Sequence, residues 1–360
     1  MGKPAGTGRA EEVVLLGTKR STDDQDPPRR GHGLRDLGVV RNVDSIPYTW
    51  RKVAGGIFFC TLSLAACFLV ARHLTSASWP LEEANVVFVC LAGGASLTSF
   101  GFRALGWHRV FPSRQRPDRA RCLAACGASA ASGTILPFRL DYLVKIATLR
   151  RLRGLPLGLE TIVLSILTLG LVDAMAMLPL AIAAISTSGS LFLAPLAVVI
   201  LWCVGSIGIL IAGPRLMRLP LIRRWQRTRA ICQRLGESAS ITRSTFVAGG
   251  FLFGCWTSRA SGSVFLLMAL GTGFSPTLAL VILCLAAAAA IVPITAGGAV
   301  ASMGATAGIL FALGVSKDVA INFALASALL LTVAALTAAL VGLTSSLVLG
   351  FRERRAMVPA

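Results

Sequence analysis

The chain has 360 residues, 55% of them hydrophobic and only 14% charged, with a mean hydropathy of +0.74, which excludes an ordinary soluble domain and requires an integral membrane protein. A formal charge of +19 admits nucleic acid, anionic lipid or membrane topology as its cause. Residues 1–44 hold eight basic and seven acidic side chains, so the surplus lies further on, between apolar runs.

The polar residues 1–44, rich in Gly, Pro, Asp and Arg, read as a disordered cytoplasmic tail, with no apolar run long enough for a signal sequence. The uncharged stretch Ala54 to Ala71 is a first span and Ala84 to Phe102 a second. The loop between them carries Arg72, Glu82 and Glu83, whereas Arg103, Arg109, Arg114, Arg116, Arg119 and Arg121 follow the second span. The positive-inside rule puts the arginine-rich loop, and with it the N-terminus, in the cytoplasm.

Cys122 to Leu136 is short for a span and ends at Pro137, and crossing there would invert every later basic loop. A re-entrant hairpin that breaks at Pro137 and returns through Asp141 to Arg153 keeps the sign pattern. Leu157 to Ile185 then spans outward and Leu191 to Ala212 returns, followed by Arg215, Arg218, Arg223, Arg224, Arg227, Arg229 and Arg234. Arg243 to Leu270 spans outward again. Thr277 to Val292 meets Pro293, Gly297 and Gly298 in a second hairpin, and Val319 to Leu349 leads into the basic tail 351–360. Ala131 to Pro137 and Ala287 to Pro293 share a pattern: small residues, two aliphatics, then proline. Later come Gly154 and Gly314, then the acids Glu160 and Asp318. The expected fold is an all-α polytopic membrane protein, with a transmembrane domain over 45–350 of about six spans and two opposed, broken re-entrant hairpins forming an inverted repeat. The basic surplus is then topology and attraction to the inner leaflet, and no nucleic acid is expected.

Familiar soluble chemistry is absent. The nine cysteines contain no CxxC pair and read as small buried hydrophobes. Neither His32, His73 nor His108 has a second metal ligand at suitable spacing, and there is no GxxxxGK[ST], GxSxG or dinucleotide fingerprint, so neither cofactor nor enzymatic activity is expected.

Candidate site residues come from two sources. Broken hairpins at Pro137, Pro293, Gly297 and Gly298 mark a transport site near the midplane, unless these residues only reflect the frequency of Pro and Gly in membrane helices. Freed amides and a helix N-terminus there favour a phosphate. Asp173 and Arg259 sit deep within spans at similar depth, where charge is costly. They are either a structural ion pair or a phosphate grip, Arg259 binding and Asp173 orienting. Arg139, Asp141 and Lys145 occupy the first break and the returning helix, where they either bind a headgroup or snorkel to the interface. Asp141 and Lys145, four apart, share a helical face and can pair. The pairs Gly250/Gly254 and Gly304/Gly308 read as helix-packing faces.

The segment Ile135-Leu-Pro-Phe-Arg-Leu-Asp-Tyr-Leu-Val-Lys145 resembles the "LPgrlGdllR" signature of the lysylphosphatidylglycerol synthase transmembrane, flippase-like family, and Val292-Pro-Ile-Thr-Ala-Gly-Gly298 with Gly314-Val315 is similar to its later "lPisPGGlG…lGv" element. The resemblance runs from about residue 50 to 350 and implies a polytopic protein that translocates lipids, here without the aminoacyl-transferase domain some members carry. The chain departs from the pattern at Leu140, Ala296 and Met303, at Leu169 and Gly170 before Asp173, and at Arg259, where an acid is expected. The changed charge implies a changed headgroup.

The leading expectation is a cofactor-free flippase of the bacterial cytoplasmic membrane for phospholipid or polyprenyl-phosphate-linked lipid, with an anionic or phosphate-bearing headgroup and both termini cytoplasmic. The alternatives are a non-transporting scaffold whose tail recruits a cytoplasmic protein and a membrane-embedded lipid transferase with Asp141 or Asp173 as base.

Overall fold

The computed structural model describes residues 81, 84–134, 136, 140–152, 158–187, 192–216, 243–291 and 298–356. The expected first span, the terminal tails at 1–44 and 357–360, Pro137, Arg139, Pro293 and Gly297 lie outside them. The described residues form an all-α membrane protein. Its helices are α1 (Val86–Val110), α2 (Arg119–Gly133), α3 (Asp141–Arg151), α4 (Leu159–Thr187), α5 (Leu193–Leu216), α6 (Arg243–Ala269), α7 (Pro276–Ile291), α8 (Gly298–Ala312) and α9 (Lys317–Ala356).

Four of these are long and apolar enough to cross a membrane: α1, α4, α5 and α9. The 27 residues of α6 would reach about 40 Å at 1.5 Å each. Arg259 and a run of serines and glycines make it more polar than those four, although Phe246 and Phe253 still face outward. Interior positions are filled by Trp107, Phe100, Ile162, Leu196, Leu252 and Phe323, while Trp202, Leu201 and Leu340 face outward. Apolar side chains thus stand on both the inside and the outside, as a hydrocarbon solvent permits.

Local chemistry sets the helix ends. The Asn85 side chain accepts a hydrogen bond from the Val87 amide at 3.0 Å and caps α1. Gly271 and Gly314 hold φ near +80° just past α6 and α8, a left-handed position that lets the chain fold back over the last carbonyls. Both expected hairpins are interrupted helix pairs, α2 with α3 and α7 with α8.

The two halves pack alike. α1 corresponds to α6, the pair α2/α3 to α7/α8, and α4 to α9. α2 packs on α9 as α7 does on α4, α1 on α9 as α6 does on α4, and α1 on α2 as α6 does on α7. At the centre α1 and α6 run antiparallel in close contact. A methyl group on Gly106 would stand 3.3 Å from the Ala248 carbonyl oxygen, and one on Gly262 would stand 3.4 Å from that of Ala92. A shift of 156 positions converts the first contact into the second with the helices exchanged, and it also relates Pro137 to Pro293. An internal two-fold repeat of inverted direction produces this pattern.

Two expectations are corrected. The helix of the second span does not stop at Phe102 but continues to Val110 and takes in Arg103, because a buried carboxylate compensates that charge. Of the glycines read as packing faces, a methyl group on Gly254 would stand 3.3 Å from the Phe102 ring, whereas one on Gly250, Gly304 or Gly308 would meet nothing within 4 Å among the described residues. The close approaches lie elsewhere. A methyl group on Gly127 would overlap the Ala339 amide nitrogen, and one on Gly342 would overlap that of Ala124. α2 and α9 therefore touch backbone to backbone, as small residues permit in membranes.

Candidate functional site

The site is built around Asp173, in the middle of α4 and 9% exposed. Its carboxylate is fully engaged. Arg103 on α1 donates from Nη2 to Oδ2 at 3.0 Å, and Trp256 on α6 donates from Nε1 to Oδ1 at 2.9 Å. Three helices are joined through one side chain, and an ion bound to a guanidinium and an indole N–H can persist away from water.

A second link between α1 and α4 lies one turn along α1. Trp107, wholly buried, donates from Nε1 to Ser165 Oγ at 3.1 Å, and Ser165 donates to the Ile162 carbonyl. On α4, between Ser165 and Asp173, stands Thr168, 1% exposed, whose hydroxyl has no hydrogen-bond partner among the described residues. Lys145 reaches in from α3. It is 5% exposed, and its ammonium lies 4.2 Å from the centre of the Trp107 ring. Cys126, Arg103, Asp173 and Asp141 lie within electrostatic range of it.

Arg259 sits on the other side of Trp256. Its guanidinium carbon is 5.5 Å from the Trp256 ring centre and 5.8 Å from that of Phe100, and its Nε approaches Ser99 Oγ at 3.5 Å. The Cys255 thiol lies within electrostatic range of Arg259, Arg103 and Asp173 together, so these belong to one cluster.

Two expectations about this site change. Asp173 pairs with Arg103 and not with Arg259, because Trp256 occupies the position of α6 that faces the carboxylate and turns Arg259 toward α1. Asp141 and Lys145 share a helix but form no ion pair: Asp141 accepts from Ser129 Oγ at 3.3 Å, and Lys145 extends to Trp107. Gly298 opens α8, while Pro137, Arg139, Pro293 and Gly297 lie outside the described residues.

Arg103, Trp107, Trp256 and Thr168 were missed by sequence reasoning. A signal for the first was available: Arg103 and Arg259 stand 156 positions apart, as do Phe100 and Trp256, the same shift that relates the two prolines. The repeat thus supplies two arginines but one acid. The start of α4 maps to the start of α9 with a shift of 158, so the counterpart of Asp173 falls within Leu329 to Leu331, where every residue is leucine.

The cluster holds three cations, Arg103, Lys145 and Arg259, and the Arg103–Asp173 bridge is the one ion pair among the described residues. No group of three His, Cys, Asp or Glu side chains there is placed to hold a metal. No curated protein and no solved structure matches the chain. A family model does, that of the lysylphosphatidylglycerol synthase TM region, over residues 52–339. Given that coverage and this all-helical architecture, the chain belongs to the lysylphosphatidylglycerol synthase transmembrane family.

Proposed function

We infer that the protein is a translocator of membrane lipids with a phosphate-bearing headgroup, working in the bacterial cytoplasmic membrane. The observation that carries this reading is the excess of positive charge within the helices: among the described residues, Arg259 has rings and a serine around it but no carboxylate. An uncompensated guanidinium is costly within a bilayer, and a lipid phosphate is the anion at hand to complete it. Membership of a family connected with lipid metabolism supports the same reading.

In this mechanism α2/α3 and α7/α8 are re-entrant pairs entering from opposite faces, with both termini cytoplasmic. The headgroup passes between them while the acyl chains stay in lipid, and Asp173 keeps Arg103 in place on α1. Rocking of the two halves about the α1–α6 contact would expose the cluster to one leaflet and then the other.

Native mass spectrometry of lipids copurifying with the wild type and with Arg259→Ala tests this. A specific phosphate-bearing lipid retained by the wild type and lost by the variant is expected, with movement of that lipid between leaflets once the protein is reconstituted into vesicles. The same nonspecific lipid from both proteins would overturn the reading and favour a scaffold.

A further inference from the structure

Lys145 is the least explained side chain in the cluster. The residue is 5% exposed and its ammonium lies over the Trp107 ring, yet among the described residues no carboxylate approaches it within ion-pair distance and none accepts a hydrogen bond from it. Attraction to a ring face offsets only part of the cost of taking an ammonium out of water, and all three of its donors remain unused. Asp141, the acid that could relieve it from one turn away, is held by Ser129.

A second orphan lies nearby. The Thr168 hydroxyl has no accessible surface and no partner, and it stands on α4 between the Trp107–Ser165 and Arg103–Asp173 links. A buried donor left unmade is as unfavourable in lipid as in a protein core. An ammonium over Trp107 with Arg103 in electrostatic range, and an unpaired hydroxyl on α4 three residues from the serine that holds that tryptophan, share one missing complement: a compact oxyanion with several acceptor oxygens.

We propose that Lys145 and Thr168, backed by Arg103, form a phosphate seat on the α3 side of the Asp173 bridge, separate from Arg259 on its far side. The proposal rests on the translocator reading only for the source of the phosphate. A headgroup would occupy this seat and the Arg259 position in turn, with the Arg103–Asp173 bridge between them. The chemistry recognised is the phosphate group itself, carried by a lipid or free.

Calorimetric titration of the delipidated full chain in detergent tests the seat, with dihexanoyl phosphatidic acid, inorganic phosphate and dihexanoylglycerol as probes. Phosphatidic acid should bind and dihexanoylglycerol should not. Lys145→Met should weaken phosphatidic acid binding on the order of tenfold or more, and Thr168→Val by roughly threefold. Lys145→Arg should keep most of the affinity. The melting temperature of unliganded Lys145→Met should hold or rise, because an unpaired buried charge has been removed. Inorganic phosphate binding as well as phosphatidic acid would support the seat with free phosphate as its occupant. Unchanged affinity in Lys145→Met, or a fall in melting temperature with affinity intact, would overturn it and make Lys145 a prop for Trp107. Lysine-dependent binding without lipid movement in vesicles would keep the seat while removing the translocator reading.

Discussion

The two halves of the molecule share a helix plan but differ in how they treat a half-buried arginine. On α1, Arg103 is matched by Asp173, whose second oxygen is held by Trp256 from the opposite half. On α6, the equivalent Arg259 has two aromatic rings and a serine, and leucines stand where the repeat would supply the acid. A buried pair is locally satisfied, whereas a buried single charge waits for a counterion. For these two equivalent arginines, the first half therefore braces its charge with an acid of its own, while the second leaves its charge to receive an anion. The same plan, with one acid lost or gained, turns a brace into a receptor for anions.

Asp173→Leu copies the second half's arrangement into the first and should give the largest effect. It strands Arg103 and frees the Trp256 N–H, a loss of about 3–5 kcal/mol for a broken buried pair, seen as a large fall in melting temperature in detergent. Removing the guanidinium as well, in Arg103→Leu/Asp173→Leu, should recover most of it, because two apolar groups leave no charge unpaired. If the double variant were as unstable as the single one, the bridge would not be what Asp173 contributes.

Smaller, and steric in origin, is the effect of Gly127→Val at the contact of α2 with α9. Even the first carbon of the new side chain would overlap the Ala339 backbone, so the helices must part, at about 1–3 kcal/mol or more. Gly304→Ala, with nothing within 4 Å, should change stability by under about 1 kcal/mol and in the favourable direction, since alanine is the better helix former. A matched pair of melting curves separates the two. Equal losses would remove the distinction between glycines at a close approach and glycines on an open face.

Much of the plan was legible beforehand for a physical reason. Hydrocarbon demands long apolar helices, and proline with small residues marks where they break, so α2/α3 and α7/α8 could be located from spacing alone. The site was less legible because its partners are distant in sequence. Arg103 read as the first charge after a span, since the acid that allows it inside the helix lies 70 positions away. Lys145 read as the partner of Asp141 on the four-residue rule, which holds for an isolated helix, whereas here Trp107 of another helix captures it. The glycine pairs failed similarly: the spacing shows which residues share a face, and only the fold shows which face meets another helix.

The least change in stability is expected at Arg259, and this prediction bears most directly on the comparison of the halves. Arg259→Leu removes a guanidinium that has no carboxylate, so the variant loses packing against Phe100 and Trp256 but no longer holds an uncompensated charge. These terms oppose, and the melting temperature of the lipid-free protein should move by less than about 1 kcal/mol would produce. Lipid-dependent stabilisation, measured by adding back dihexanoyl phosphatidic acid, should fall well below that of the wild type, because a ligand stabilises only as far as it binds. A variant that lost as much intrinsic stability as Asp173→Leu would place Arg259 in a bridge of its own, and the contrast between a braced half and a receiving half would disappear.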